Sequence, residues 1–576
     1  MRSLLAQESI ESAGSFRLYS LSMIRFGCLL VFCLCCNGVA LTQTKSSSER
    51  VADSIVANPG SPADSWSEGM GLELEGLDAA WYNTANGDYF RRAKSSVDSV
   101  LNSATQSAAI QGSSPAAKNL FGRQLLLLYR VTLNLKYYKA AAELNAQLAA
   151  ECGVPSPEPS ASASNAPCVA QPFLAEYASV FQQPQDFPNI TKSFENAEGQ
   201  PAPQVAVSLV DALPYYPQQD PGRATLIALL RRVAAKIAAP QAAPSPSSVD
   251  SLSVYALAKG VRLGYLPVSD LTRAKQAWSK ISAKFDSSST TASGDHDAAE
   301  LGAFLLAATE IDQASTAAVA RGETVVLDAW YNSQQRKNAA GQMESFHYKW
   351  SDMSDSGYAL LGHMFRGYGA ATETLDAAPT QENLRSAEFY LIASPDIPVK
   401  NPNPHYMTEK DASEIAAWVK QGGVLILLEN DPPNADIAHL NLLADHFGIH
   451  FDDVLHHHII GEQVEDGRIP VAPDGKLFHQ AHTLYMKDTC AISLHAPTAV
   501  ALLSDRGDVV MATAKYGRGT VFAAVDPWLY NEYTDGRKNP QIYNQFDNFA
   551  GGKELVQWLL QQHSRPATSA RKKELQ

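Results

Sequence analysis

Several short stretches of this chain carry side chains of the types and spacing that do chemistry. Glu68 stands two residues after Trp66 in Trp66-Ser-Glu-Gly-Met-Gly71, a carboxyl beside an indole on which a sugar ring can stack. Glu68 is the candidate catalytic residue and Trp66 a candidate substrate contact, roles that rest on the resemblance given below. The same glutamate also reads as a solvated first-turn acid that favours the helix dipole. Asp295-His-Asp297 has metal-ligating types, and a polar loop ending in an N-cap Asp accounts for it better. Leu455-His-His-His-Ile459, in a strand, would put only His456 and His458 on one face with no third ligand, and reads as exposed histidines. Asp328-Ala-Trp-Tyr-Asn332 and Asp526-Pro-Trp-Leu-Tyr-Asn-Glu-Tyr533 each follow a strand at what would be the carboxyl edge of a sheet, where Trp528 and Tyr530 offer stacking surfaces. Those groups fit a carbohydrate surface and docking onto a neighbouring domain equally well. No metal and no cofactor is expected.

The elements that must position these residues fall into two kinds. Helical spacing of apolar residues predicts hairpins at Trp66–Tyr82 with Tyr89–Leu101, and at Leu120–Thr132 with Tyr137–Ala150. Further helices are predicted at 170–181, 187–197, 205–215, 222–238, 252–263, 269–285 and 298–311. About a dozen helices in alternation fit a toroid of hairpins better than a four-helix bundle. Asp211, inside one of them, reads as structural or capping. Residues 45–65 are polar with Pro and Gly and read as an exposed linker; Gln106–Ala117, Val154–Pro167 and Ala239–Ser248 read as mobile Pro/Ser/Ala loops.

Near Arg321 the pattern changes. Short apolar strands at 324–328, 388–393, 423–428, 499–503, 509–514 and 520–525 alternate with helices at 357–367, 409–420, 434–447 and 552–560. This predicts a mostly parallel sheet covered on both faces, with an antiparallel β insertion from Ile449 to Leu494. The fold class is therefore α plus α/β: a toroid over 45–318 and a flavodoxin-like domain over 319–565, before a tail at 566–576.

The 576 residues carry 46 Lys and Arg against 60 Asp and Glu, a formal charge of -14, which excludes nucleic acid as a partner. A basic-then-apolar run from Met23 followed by Gly38-Val-Ala40 reads as a secretory leader within residues 1–44, with translation starting at Met1 or Met23. Export to the periplasm or the exterior follows, and contact with a membrane only if the leader is kept. Cys28, Cys33, Cys35 and Cys36 leave with it; Cys152 and Cys168 would then pair or stay free.

Two phrases, Ser253-Val-Tyr-Ala-Leu-Ala-Lys-Gly-Val-Arg-Leu-Gly-Tyr-Leu-Pro267 and Gly302-Ala-Phe-Leu-Leu-Ala-Ala-Thr-Glu310, read as consecutive inner helices. With Trp66–Leu72, Gly122–Ala142, Gln171–Tyr177 and Val210–Arg223 they resemble the unsaturated rhamnogalacturonyl and glucuronyl hydrolases, glycoside hydrolase families 105 and 88. The resemblance covers roughly residues 51–312. It implies hydrolysis of unsaturated uronyl oligosaccharides from pectin, by an Asp that protonates the vinyl ether without a metal. Where that family has its acids, this chain has Asn165-Ala-Pro-Cys-Val169 and Pro115-Ala-Ala-Lys-Asn-Leu-Phe121, and Glu68 stands where the resemblance implies a pocket aromatic, as a substitute acid that could face the cavity. Two functions follow: a hydrolase of such sugars, or a non-catalytic carbohydrate-binding or scaffold protein with a degraded pocket. The second domain resembles class I glutamine-amidotransferase-like modules, but its turn Leu428-Glu-Asn-Asp-Pro-Pro433 lacks the Cys that an amidase needs, and Cys490 falls in a predicted strand.

Overall fold

The structure, a computed structural model, describes residues 45–58, 65–103, 110, 112–151, 169–197, 200–237, 247–288, 297–461, 463–531 and 535–563. The expected leader, Cys152, Cys168, the loop Val154–Pro167, Asp295, His296 and the tail from 566 lie outside them, as do parts of 106–117 and 239–248.

Among the described residues, twelve helices run from Ser47 to Gln313: α1 (Ser47–Ala57), α2 (Glu68–Thr84), α3 (Gly87–Ser103), α4 (Pro115–Thr132), α5 (Leu135–Glu151), α6 (Gln171–Val180), α7 (Phe187–Glu195), α8 (Ala202–Ala212), α9 (Pro221–Ile237), α10 (Ser247–Arg262), α11 (Val268–Ser288) and α12 (Ala298–Gln313). Each even-numbered helix packs on the next, and α12 returns to pack on α2, so six inner helices close a ring. The odd-numbered helices back them, α3 on α2, α5 on α4, and so on to α1, which covers α12. This is the expected toroid of helical hairpins.

Local chemistry starts the inner helices. Ser67 Oγ accepts from the Met70 amide at 3.2 Å to cap α2, and Ser114 Oγ accepts from the Ala117 amide at 3.1 Å to cap α4, with Pro115 in its first turn. Asp297 caps α12 by accepting from the Glu300 amide at 2.7 Å, the N-cap role expected of it. The ring closes where side chains are absent. A Cβ on Gly302 of α12 would sit 2.3 Å from the Leu72 carbonyl carbon of α2, so only glycine lets the two backbones approach this closely.

One expectation is corrected at the start of the ring. The segment read as a linker forms α1, whose Val51, Ala52 and Ile55 are buried against α2 and α12. Three apolar residues on one face suffice to bury a helix whose other positions are polar.

The sheet that follows holds β1 (Thr324–Asp328), β4 (Ala371–Leu375), β5 (Phe389–Ala393), β6 (Val424–Leu428), β7 (Ile449–His456), β10 (Thr489–Leu494), β11 (Ala499–Asp505), β12 (Asp508–Tyr516) and β13 (Gly519–Ala524). Hairpins β2 (Gln335–Lys337) with β3 (Met343–Ser345), and β8 (Arg468–Val471) with β9 (His482–Tyr485), stand apart from it. Strands β4-β1-β5-β6-β13 are parallel in that order, the doubly wound flavodoxin-like arrangement. The remaining four, β12, β11, β10 and β7, are antiparallel. The sheet is thus mixed rather than mostly parallel, because β11 and β12 pair antiparallel and because β7 and β10 of the expected insertion join the main sheet instead of forming a separate one. Helices α13 (Ala359–Gly367), α14 (Glu409–Lys420), α15 (Ile437–Ala444), α16 (Pro540–Tyr543) and α17 (Asn548–Gln562) complete the described elements, with α14 and α17 packed on β13.

Candidate functional site

Inside the ring the inner helices turn polar faces toward one another. Glu75, Asp78 and Tyr82 of α2, Arg123, Gln124 and Arg130 of α4, Tyr255, Lys259 and Arg262 of α10, and Thr309, Glu310 and Gln313 of α12 mostly stand three, four or seven residues apart, with Arg123–Gln124 and Thr309–Glu310 adjacent. That spacing places each set on a single helix face. With Glu176 of α6 and Tyr215 after α8 they line a cavity of about 300 Å³, over which Met353 and His363 of the α/β domain are set.

Asp211 of α8 is buried beneath the cavity and organises its floor. Its Oδ1 accepts from Tyr255 Oη at 2.7 Å and Lys259 Nζ at 2.6 Å, and its Oδ2 from Arg123 Nη1 at 2.9 Å. Burial works to raise its pKa, and Lys259 and then Arg123 outweigh that, holding it below the ordinary value. Arg123 Nη1 also donates to Glu75 at 2.8 Å, Arg130 Nη1 to Glu176 at 3.1 Å, and Arg262 grips Glu310 with two hydrogen bonds of 2.7 and 2.5 Å. Of the structural and capping roles expected of Asp211, the structural one is observed, as the centre of a core ion-pair cluster.

Asp78 is the odd acid in this arrangement. Arg123, Arg130, Lys259 and Arg262 are matched by Glu75, Glu176, Asp211 and Glu310, and none of the four cations is paired with Asp78. Its Oδ2 accepts a short hydrogen bond from Gln124 Nε2, and its Oδ1 has no hydrogen-bond partner. Burial, opposed by that hydrogen bond, pushes its pKa up to about 8, so the group is a neutral acid at neutral pH. Burial also raises Glu75 against the pull of Arg123, and its Oε1 is likewise unpartnered. A protonated carboxyl lining a cleft among fixed cations and tyrosines can donate a proton to a bound ligand and recover it from water.

Glu68 and Trp66 are placed elsewhere. Glu68 is exposed in the first turn of α2, accepts from Ser114 Oγ at 3.3 Å, and does not line the cavity. Trp66 is buried in the ring wall, its indole donating to the Ala117 carbonyl at 2.8 Å and its ring 4.7 Å from that of Phe121. Glu68 shares a face with Glu75 but sits seven residues earlier, about 10 Å along the helix axis at 1.5 Å per residue. The signal that leads to the cavity acids is the three-residue step from Glu75 to Asp78 within a glycine-containing apolar helix.

In the α/β domain Asp328 and Asp526 stand at the carboxyl ends of β1 and β13, both fully buried. Asp328 accepts from Tyr390 Oη and from the Tyr331 and Asn332 amides; Asp526 accepts from the Trp528 and Lys487 amides. Trp528 carries the Lys487 ammonium 4.1 Å over its ring, and the side chain of Tyr530 lies outside the described residues. The chain that follows docks on the ring: Trp81 Nε1 donates to the Asp535 carbonyl at 2.7 Å and Arg91 Nη1 to the Gly536 carbonyl at 2.8 Å. The histidine run does not stay exposed as a unit. His456 pairs with Asp508 and His458 with Asp488, while His457, turned inward by a φ of 47°, is buried. Among the described residues no cluster of three His, Cys, Asp or Glu could hold a metal ion. Cys490 is buried in β10, and burial raises its thiol well above the ordinary value.

No protein-family model matches the chain, and no curated protein matches it. Among solved structures it is similar to a glycoside hydrolase from family 105 of C. acetobutylicum ATCC 824, at 20% identity over 46% of this chain and 99% of that one, with a TM-score of 0.38. It is also similar to a glycosyl hydrolase family 88 protein from Bacteroides vulgatus, at 14% identity over 46% and 98%, with a TM-score of 0.37. A possible family 105 member from Klebsiella pneumoniae subsp. pneumoniae MGH 78578 matches at 12% identity over 52% and 98%, with a TM-score of 0.36. At such scores the assignment of a six-hairpin ring rests on the closure of its own helices, which the contact of α12 with α2 supplies.

Proposed function

We propose that the ring cavity is an acid–base site for unsaturated uronyl oligosaccharides, with Asp78 as the general acid, in a protein exported through the leader read at residues 23–40. One observation carries this reading: Asp78 lines the cavity with an unpartnered carboxyl oxygen, outside every ion pair around it. In the reaction, the Asp78 carboxyl gives its proton to the vinyl-ether carbon of the unsaturated sugar. Water adds at the neighbouring carbon and returns a proton to the Asp78 carboxylate. The resulting hemiketal opens and releases the rest of the chain, so one water is consumed and the acid is regenerated. Tyr82 and Tyr215 supply aromatic walls, and Arg130 and Arg262 supply positive charge for the uronate carboxylate.

One observation favours the non-catalytic reading: Arg123, Arg130, Lys259 and Arg262 are all engaged with the protein's own carboxylates. A carboxylate ligand must compete with those partners. The test is the ultraviolet absorbance of lyase-generated unsaturated oligosaccharides incubated with the purified protein. Loss of absorbance that disappears in Asp78→Asn supports the hydrolase. Heat of binding in calorimetry without any absorbance loss supports the binding protein and overturns the hydrolase.

A further inference from the structure

A second cavity, of about 460 Å³, lies beside the first and has Arg130, Tyr215 and Met353 in common with it. One of its walls belongs to the ring, through Tyr129, Leu133 and Gln182; the facing wall belongs to the α/β domain, through Arg336, Met343 and Ser345 of the β2–β3 hairpin. The hairpin is fastened over the ring at defined points. The Ala339 amide donates to Tyr129 Oη at 2.9 Å, and Gln182 Nε2 donates to the Met343 carbonyl at 2.7 Å. Arg130 Nη2 adds a bond to the Ser351 carbonyl at 3.3 Å. The hairpin itself is held by the Arg336–Glu344 pair at 2.7 Å, with the guanidinium 5.1 Å from the Phe346 ring centre. These contacts fix a chamber rather than a loose gap between domains.

Size separates the roles of the two chambers. The first, at about 300 Å³, is the smaller of the two and holds the unpaired acid Asp78. Arg130, Tyr215 and Met353, which line both cavities, mark where the two adjoin. The second chamber has the mixed lining that sugars use, with apolar surface on Leu133 and Met343, 39% and 48% exposed, beside the polar Gln182, Ser345 and Arg336.

We propose that this second chamber, half of it built by the α/β domain's β2–β3 hairpin, is the subsite for the leaving-group sugars of an oligosaccharide whose terminal ring occupies the Asp78 cavity. The inference rests on the carbohydrate reading of that cavity. The α/β domain thereby completes the binding site and sets a preference for chains over single sugars.

Ser345→Trp tests it, because Ser345 is exposed on the hairpin, belongs to none of the fastening bonds, and lines the chamber, which an indole there would narrow. Two substrates are compared, the methyl glycoside of an unsaturated uronate, whose leaving group fits the first cavity, and an unsaturated tetrasaccharide. With the melting temperature unchanged, the variant is expected to keep methyl glycoside turnover within about twofold and to lose tenfold or more in kcat/KM for the tetrasaccharide, mainly through KM. Equal effects on both substrates, or none on either, would overturn the subsite. If the wild type turns over neither substrate, the Asp78 reading fails by itself. Calorimetry with the tetrasaccharide then decides the chamber: binding that Ser345→Trp abolishes sustains it, and binding indifferent to the substitution, or absent, overturns it.

Discussion

Replacing Asp78 by Asn should make the protein more stable and less active, and the two effects should carry different pH signatures. The wild-type carboxyl has its pKa raised from an ordinary 3.8 to about 8 by burial. For an acid raised in this direction the cost is absent below the unfolded value, grows as pH rises through the interval, and levels off above the folded value. Each pH unit is worth about 1.4 kcal/mol, so at pH 7 the ceiling is about 4 kcal/mol. Asn keeps the shape and an oxygen for Gln124 while removing the ionisation. Urea unfolding at several pH values should show Asp78→Asn gaining on the wild type from pH 5 to 8 and matching it near pH 4. Activity should fall by about a hundredfold to ten-thousandfold, the usual worth of a general acid, and the alkaline limb of the wild-type profile should disappear. A variant that keeps more than a tenth of wild-type turnover, or whose stability advantage does not change with pH, would refute the role given to Asp78.

Three further substitutions probe the frame around it. Asp211→Asn leaves Arg123 and Lys259 short of a partner in the ring floor, and a loss of about 3–5 kcal/mol is expected in thermal melts. Because Asp211 is held below its ordinary pKa, that stabilisation is present at neutral pH and disappears as pH falls through its folded value, so wild type and variant should converge in acid. Gly302→Ala forces a methyl onto the Leu72 carbonyl carbon at 2.3 Å; unless α2 and α12 separate it cannot be housed, and a loss of about 1–3 kcal/mol with increased proteolysis is expected. Trp81→Phe strands the Asp535 carbonyl where ring and α/β domain meet, at a cost of about 1–3 kcal/mol in calorimetry.

The helices of the ring were legible because their apolar residues repeat at helical spacing, and eleven of the observed elements coincide with predicted ones to within a few residues. Helix α1 was not, since Val51, Ala52 and Ile55 are a minority in a polar stretch and gain a meaning only from α12, far along the chain. Strand β4 escaped for a related reason: Ala371-Thr-Glu-Thr-Leu375 is an edge, mostly exposed, and lacks the apolar run of its neighbours. The position of the cavity acids was not legible: Glu68, read both as a candidate acid and as a solvated first-turn acid, shares a face with Glu75 but stands two turns earlier, and the height at which the ring encloses a cavity is not encoded in a single helix. The ion pairs that leave Asp78 alone join α2, α4, α6, α8, α10 and α12, and no local spacing reveals them.

The closure of α12 on α2 also dictates an order of assembly. During synthesis the first inner helix leaves the ribosome long before the last, so the early hairpins can stack only as an open arc with one unpaired flank. The seam forms when α12 emerges, and it is then secured at Asn83, whose Oδ1 accepts from Gln313 Nε2 at 2.9 Å and lies 2.7 Å from His363 Nε2. Gln313 ends the ring and His363 belongs to the next domain, so one amide at the tip of α2 registers the arrival of both. Contacts so distant in sequence make the final latch slow relative to the hairpins. Until it shuts, the face of α2 at Leu72 that receives Gly302 is without its ring partner.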